Sequence, residues 1–169
     1  MPIVSYIILG IMLVIFFLSI HYNTGYDIID YPIRAFYHGN LNHLIANGIS
    51  LYSLSFMENV IGSWTFLFAI IFIWIVSSLL LYLEHLILPS RKVYTIGFSG
   101  VIFGLIVLYY TLLNQSPGIT SLGLIVSIVP QIFMPGISWE GHICGIIAGL
   151  LYVMLFPLDK RLNINQMTY

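Results

Sequence analysis

The sequence predicts an all-α membrane protein built from six transmembrane helices. Its 169 residues are 60% hydrophobic and 7% charged, whereas soluble domains carry about 25% charged residues. The mean hydropathy is +1.02. A chain this apolar would expose too much hydrophobic surface to water, so the composition excludes a water-soluble enzyme. We expect a single membrane domain over residues 1–169, embedded in the lipid bilayer.

The composition also excludes three other classes of protein. The low charge excludes a disordered chain. The net charge of −1 excludes a nucleic-acid binder, which needs positive charge to meet the phosphates. The single cysteine excludes a disulfide scaffold. No carboxylate or second sulfur accompanies the histidines, so we predict no metal site and no cofactor.

Charge-free runs locate the helices, because a membrane-spanning helix needs about 20 apolar residues. Residues 1–26, 35–57 and 59–83 contain no charged side chain, and each holds one apolar stretch. The run 93–139 is too long for one crossing, and the polar segment 114–118, which contains a Pro-Gly pair, divides it. The predicted helices span about residues 3–20, 42–60, 64–83, 97–113, 119–133 and 140–156.

The first helix is expected to stay in the protein, and its orientation is only weakly encoded. No basic segment precedes this helix and no small-residue cleavage site follows it, so we interpret it as a retained span and not as a signal peptide. Positive charges lie on both predicted sides of the membrane, with Arg34, Arg91 and Lys92 on one and Lys160 and Arg161 on the other. This difference is too small for the positive-inside rule to fix the topology.

Four polar residues fall inside the predicted helices, where polar side chains are costly and usually have a task. They are His43, Asn47, Ser99 and His142. The second, fourth and sixth helices begin on the same side of the membrane, because one returning helix separates each pair. All four residues lie in the first turns of these helices. Three separate parts of the chain therefore supply polar groups to one layer.

Glycines predict how the fourth and sixth helices meet. Gly100 and Gly104 are four residues apart on the fourth helix, as are Gly145 and Gly149 on the sixth. Small residues at this spacing let membrane helices pack backbone to backbone. His142 shares a helix face with the second pair, so it could reach the serine at the start of the fourth helix. Such glycines more commonly serve helix packing alone.

The serine and the histidine are suited to acyl transfer. A serine hydroxyl becomes a good nucleophile when a base takes its proton, and histidine is the usual base near neutral pH. Ser99 opens a helix between Gly97 and Gly100, where free backbone N–H groups and the helix dipole can stabilise an oxyanion. With His142 as the base, the pattern predicts a Ser–His dyad.

Side chains of the second helix could complete the oxyanion hole. His43 and Asn47 share a helix face because they are four residues apart. We find no intramembrane carboxylate that would complete a triad, and we expect Glu140 to point away from His142 and to lie nearer water. Alone, the serine could bond to its own helix, a histidine could anchor a helix end, and the asparagine could join helices. Their shared side and depth favour a common site.

Three sequence blocks resemble the rhomboid family of intramembrane serine proteases. The blocks lie at predicted helix starts and read HGNLNHLIAN at 38–47, GFSGVIFG at 97–104 and GHICGIIAG at 141–149. The helix count and the long first loop also fit, so the resemblance covers nearly the whole chain. It implies a rhomboid-like bundle of six transmembrane helices.

The resemblance also implies roles for single residues. Ser99 would be the nucleophile and His142 the general base. His43, Asn47 and the Ser99 backbone N–H would form the oxyanion hole, and the ring of Phe103 would pack against the imidazole of the base. The supporting residues in the three blocks would be Gly97, Gly100, Phe103, Gly145, Gly149 and His38.

The family further implies where cleavage takes place and on what. Peptide bonds would be hydrolysed below the membrane surface in a water-filled cavity that opens away from the cytoplasm. The fifth helix and the loop at about 133–138 would act as gate and cap. The substrates would be transmembrane helices with small or helix-breaking residues near the cleavage site. We expect an integral, multi-pass protein of the cell membrane.

Two other functions stay open at this point. A catalytically inactive rhomboid-like protein could bind or escort transmembrane clients; such relatives usually lack the nucleophile or the histidine, and both are present here. A small channel or transporter would place polar groups along a path through both leaflets. The four polar residues lie on one side, which favours the protease.

Overall fold

The structure, a computed structural model, describes residues 1–89, 95–113, 115–133 and 137–158, and every regular element in these ranges is a helix. The helices are α1 (Ile3–Phe17), α2 (Asp27–Arg34), α3 (Leu41–Leu54), α4 (Phe56–Ile61), α5 (Ser63–Ile87), α6 (Ser99–Leu112), α7 (Pro117–Ile128) and α8 (Trp139–Leu155). A 3₁₀ segment, Val129–Phe133, follows α7. The prediction of an all-α chain is confirmed over these ranges.

Among the described helices, α5 alone is long and apolar enough to cross a membrane by length and composition. Four other apolar stretches are shorter: α1, α6, α8, and α7 continued through the 3₁₀ segment. The arrangement of six crossings therefore stays a prediction.

The first predicted helix and the first loop differ from the structure. α1 ends at Phe17 and not at residue 20, and the chain then turns at Ser19, whose φ is +50°. The loop contains α2, which the charge-free runs did not predict. Its signals were present in the sequence, because Asp27 in the first turn and Arg34 in the last turn complement the helix dipole.

The predicted helix 42–60 is two helices in the structure, α3 and α4, separated by a turn at Ser55, whose N–H bonds to the Tyr52 carbonyl. The buried Glu58 of α4 lies at the start of α1. The Glu58 carboxylate accepts hydrogen bonds from the Val4 N–H at 2.9 Å and the Ser5 N–H at 3.1 Å. It also accepts one from the Ser63 hydroxyl at 2.7 Å. Free N–H groups in the first turn of a helix need such partners, so α4 caps α1.

α5 is longer than predicted. The predicted helix ended at residue 83 because Glu84 and His85 follow, but α5 continues to Ile87. His85 is buried, and its Nδ1 lies 2.6 Å from the hydroxyl oxygen of Tyr31 in α2. This contact fastens the loop helix to α5. It gives the last turn of α5 a buried partner that a charge pattern cannot reveal.

The ends of α7 depend on two prolines. α7 begins at Pro117, two residues before the predicted start, since a proline in the first helical turn loses no helical hydrogen bond. Its last predicted turn, from residue 129 on, is a 3₁₀ segment. Pro130 has no N–H to donate to an α-helical hydrogen bond, which favours this change of geometry.

The centre of the bundle is the contact between α6 and α8. A Cβ atom on Gly100 would lie 2.9 Å from the Gly141 carbonyl oxygen, and one on Gly104 would lie 2.8 Å from the Gly145 carbonyl oxygen. Both distances are shorter than a Cβ atom tolerates, so the two backbones are as close as glycine allows. The predicted glycine contact is therefore present. It sets the spacing between α6, which carries Ser99, and α8, which carries the histidine.

Candidate active site

Ser99 is the first residue of α6, and the turn before it needs glycine. Gly97 has a φ of +107°, a conformation that side chains other than glycine rarely adopt. A Cβ atom here would also lie 2.6 Å from Nε2 of His43 in α3. The Gly97 N–H donates a hydrogen bond to the Arg34 carbonyl of α2 at 3.1 Å. Contacts to α2 and α3 thus fix the place where α6 begins.

His142 lies in the first turn of α8, and its Nε2 is 2.9 Å from Oγ of Ser99. The ring of Phe103 on α6 stacks on the imidazole, with centroids 4.5 Å apart and an angle of 29° between the planes. The other ring nitrogen, Nδ1, lies 2.6 Å from Oε1 of Gln131 in the 3₁₀ segment. The imidazole is therefore held by one contact to each nitrogen and one to its face.

The polar residues of the first sequence block, 38–47, form a connected group. Asn40 caps α3, because its side chain accepts a hydrogen bond from the His43 N–H at 2.9 Å. The Asn47 amide nitrogen lies 2.9 Å from Nε2 of His38. The Nδ1–H of His38 donates to the Phe36 carbonyl at 3.1 Å. The neutral Nε2 of His38 thus accepts from the amide, which fixes the orientation of Asn47.

The electrostatics of His38 support this hydrogen-bond pattern. The residue is 4% exposed. Burial, together with the neighbouring His43 at a ring distance of 5.0 Å, lowers the pKa of His38 to about 4. At neutral pH the ring is therefore uncharged, and its Nε2 is available as an acceptor.

One cavity brings most of the predicted polar residues together. Its volume is about 620 Å³, and Ser99, His142, His43 and Asn47 all line it. Ligand pockets commonly occupy about 300–1,000 Å³. Glu140 also lines this cavity and is buried, so the prediction that it lies nearer water is wrong.

Besides His38, which bonds to Asn47, the predicted supporting residues fall into two groups. Gly97 and Phe103 contact the imidazoles of His43 and His142, as described above. Gly100, Gly145 and Gly149 lie in the contact between α6 and α8 and not among the residues that line the cavity. Their part in the site is the spacing between the two helices.

Gln131 is the residue that sequence reasoning missed. Its signal was an amide side chain inside an otherwise largely apolar predicted helix, where polar groups are costly. The predicted cap at about 133–138 lies in part outside the described residues. In the described ranges, no group of three or more His, Cys, Asp or Glu side chains could hold a metal ion.

The fold and the cavity define a helical protein that holds a serine hydroxyl and a histidine against each other at the starts of two closely packed helices. The sequence profile of the Rhomboid domain matches residues 28–158, which cover the three blocks, α3 through α8 and all of α2 except its first residue. The chain belongs to the rhomboid family, whose members are membrane proteins.

Curated relatives agree with this assignment. A provisionally named rhomboid protein of Acanthamoeba polyphaga mimivirus is 58% identical over 164 residues, which cover 96% of each chain. An uncharacterised protein of Mycobacterium tuberculosis is 32% identical over 73% of this chain and 57% of its own length. Rhomboid-like protein 15 of Arabidopsis thaliana is 30% identical over 69% of this chain and 34% of its own. The chain thus spans about half of the mycobacterial relative and about a third of the plant one.

Proposed function

We propose that the chain is an intramembrane serine endopeptidase that hydrolyses peptide bonds in or near transmembrane segments of other proteins. The observation that carries the proposal is the distance of 2.9 Å between Ser99 Oγ and His142 Nε2, two residues that line the cavity of about 620 Å³. A hydrogen bond of this length is what a base needs to take the proton of a serine nucleophile.

The reaction begins with Ser99. As its Oγ attacks the carbonyl carbon of the substrate, the hydroxyl proton passes to Nε2 of His142. The tetrahedral intermediate collapses when the protonated imidazole gives this proton to the leaving amine, which breaks the peptide bond and leaves an acyl ester on Ser99. Water then attacks the ester with His142 again as the base, and the serine is restored.

The oxyanion of the intermediate needs preorganised donors. The Ser99 N–H, at the first residue of α6, has no partner within its own helix. The amide of Asn47 carries two hydrogens, of which one bonds to His38, so the second can serve the oxyanion. The His43 side chain lines the same cavity and can supply a further donor.

A transmembrane helix must be opened locally before it can be cleaved, because all its backbone groups are paired within the helix. Small or helix-breaking residues lower the cost of this opening. Substrates with such residues near the cleavage site are therefore proposed. The exposed side chains Ile119 and Leu122 of α7 and Phe133 of the 3₁₀ segment form the proposed entrance for them.

The test is covalent labelling of the purified, detergent-solubilised protein with a fluorophosphonate or isocoumarin serine probe. The wild type is expected to be labelled, and Ser99→Ala and His142→Ala are expected to stay unlabelled while retaining helical circular dichroism. Ser127→Ala is a matched control, since it removes an exposed hydroxyl that bonds only within α7. Absence of labelling in folded wild type contradicts the proposal and favours a client-binding rhomboid-like protein.

Cleavage itself is tested in liposomes. Wild type or Ser99→Ala is reconstituted with a tagged single-span reporter that carries a Gly-Ala pair near one end of its span. Cleavage by the wild type alone is expected. Placing a leucine pair at the same position is expected to reduce cleavage, because the segment is then harder to unwind.

A further inference from the structure

We propose that Gln131 is a positioning residue for His142, which selects the tautomer and the orientation in which the imidazole can act as a base. This inference rests on the proposed function. The observation behind it is the distance of 2.6 Å between His142 Nδ1 and Gln131 Oε1, on the side of the ring opposite Ser99.

The chemistry of the two side chains fixes where the proton lies. An amide oxygen only accepts hydrogen bonds, so the imidazole nitrogen that faces it must carry the hydrogen. A neutral imidazole has one protonated nitrogen and one that accepts. With Nδ1 protonated, Nε2 is the acceptor, and it lies 2.9 Å from the Ser99 hydroxyl. This is the tautomer that can take the serine proton.

Gln131 therefore takes the place that a buried aspartate has in soluble Ser-His-Asp enzymes. There the carboxylate holds the ring in the productive tautomer, and a substitution that gives the wrong tautomer lowers kcat by about 10⁴. The amide of Gln131 is neutral, so it orients the ring without adding a negative charge. The contact lies at a half-buried residue, where a hydrogen bond is stronger than in water.

The element that carries Gln131 makes the contact dependent on a lightly packed part of the fold. No residue of the 3₁₀ segment Val129–Phe133 is buried, and its neighbours Ile132 and Phe133 are exposed. Phe103, by contrast, holds the imidazole from α6, in the tightly packed centre. The stacking sets the plane of the ring, and Gln131 sets its rotation and tautomer. Displacement of the 3₁₀ segment would therefore remove the control that Gln131 has over the rotation and tautomer of the ring.

The first experiment compares two substitutions of the same size at this position. Gln131→Leu removes the acceptor, and Gln131→Glu keeps an acceptor and adds a charge. The second-order rate constant for fluorophosphonate labelling is measured from pH 5 to pH 9 for both, for wild type and for the control Ser127→Ala. A positioned base contributes about 10²–10⁴ in rate. We expect the labelling rate constant of Gln131→Leu to be about 10- to 100-fold lower than that of the wild type.

The pH profile separates positioning from packing. Gln131→Glu is expected to restore most of the rate at high pH. The acid limb of the pH–rate profile of Gln131→Glu should lie at higher pH than that of the wild type, because a carboxylate beside the ring favours the protonated imidazole. Ser127→Ala should match the wild type. If Gln131→Leu labels at the wild-type rate, or if both variants are equally slow with an unchanged profile, the positioning role is refuted.

A second readout does not depend on activity. The ¹⁵N chemical shifts of His142, assigned by comparison with His142→Ala, report which ring nitrogen carries the proton. The wild type is expected to show the Nδ1–H tautomer, and Gln131→Leu a mixture of both. A mixture in the wild type refutes the inference. If no protein is labelled but the tautomer depends on Gln131, the proposed hydrolysis fails while the positioning of the imidazole stands.

Discussion

The hydrogen bond between Asn47 and His38 predicts a specific pattern of rate losses. In Asn47→Ala a proposed oxyanion donor disappears, and removal of one such donor costs about 10²–10³ in rate in soluble serine proteases. In His38→Ala the amide stays but loses the acceptor that holds it at 2.9 Å. The net worth of one hydrogen bond is about 1 kcal/mol, which corresponds to about a fivefold slower reaction.

The two substitutions are expected to be strongly non-additive. Once Asn47 is absent, His38 has no amide to orient, so His38→Ala should slow Asn47→Ala by less than twofold. His38→Gln supplies another acceptor oxygen and is expected to recover part of the loss seen in His38→Ala. A double-mutant cycle isolates this coupling, because the two side chains are in direct contact.

The assay is the rate constant of phosphonate labelling at pH 7.5 for the four members of the cycle, with the melting temperature in detergent measured for each. The comparison uses variants whose melting temperatures lie well above the assay temperature. Equal slowing by His38→Ala in both backgrounds would refute the argument, since His38 would then act on the reaction by a route that does not pass through Asn47.

Three further predictions concern stability and pH. Gly145→Ala is expected to lower the melting temperature strongly, since its Cβ would overlap the Gly100 carbonyl of α6; Gly123→Ala, where a Cβ meets no atom within 4 Å, is the matched control. Glu58→Gln should cost about 2–4 kcal/mol of unfolding free energy in a denaturant titration, because it weakens the charge-assisted bonds to the start of α1; a change below 1 kcal/mol would contradict this. The pKa of His38 is lowered from 6.5 to about 4 in the folded protein, so the unfolded chain binds more protons between these values. Stability is therefore expected to fall by up to about 3 kcal/mol as the pH decreases from 6.5 to 4, and His38→Gln should remove that part of the pH dependence.

The polar layer could be predicted from sequence for a topological reason. Residues that begin alternate helices lie at one end of a helical bundle whatever the details of packing. Ser99 and His142 therefore needed only the helix count and the glycine spacing to be placed together. The cavity that contains both is consistent with that reasoning, while the number of membrane crossings and the roles of the residues stay predictions.

The errors have a common physical origin. In the sequence-based predictions, Glu58 and Glu84 serve to place helix ends, and Glu140 is expected to lie nearer water. In the structure Glu58 caps α1, α5 continues through Glu84, and Glu140 is buried at the cavity. For Glu58, other parts of the chain supply the donors that a buried carboxylate needs: N–H groups of α1 and the Ser63 hydroxyl. Which residues pack against a carboxylate is decided by the tertiary structure, and a single sequence does not reveal it.

The contact between Gln131 and His142 could not be predicted from the sequence either, because it too depends on tertiary packing. The distance of Gln131 along the chain from His142 is short, but the contact depends on the 3₁₀ turn at Pro130 and on the close packing of α8 against α6 at Gly145. Three elements thus meet at one imidazole, which α8 carries, α6 contacts through Ser99 and the 3₁₀ segment contacts through Gln131. Glycine backbones of α6 and α8 touch, whereas the 3₁₀ segment contributes no buried side chain. If the positioning role is correct, movements of that segment change the alignment of the base while the distance between the two helices stays fixed. The rate of serine labelling would then report the position of the segment.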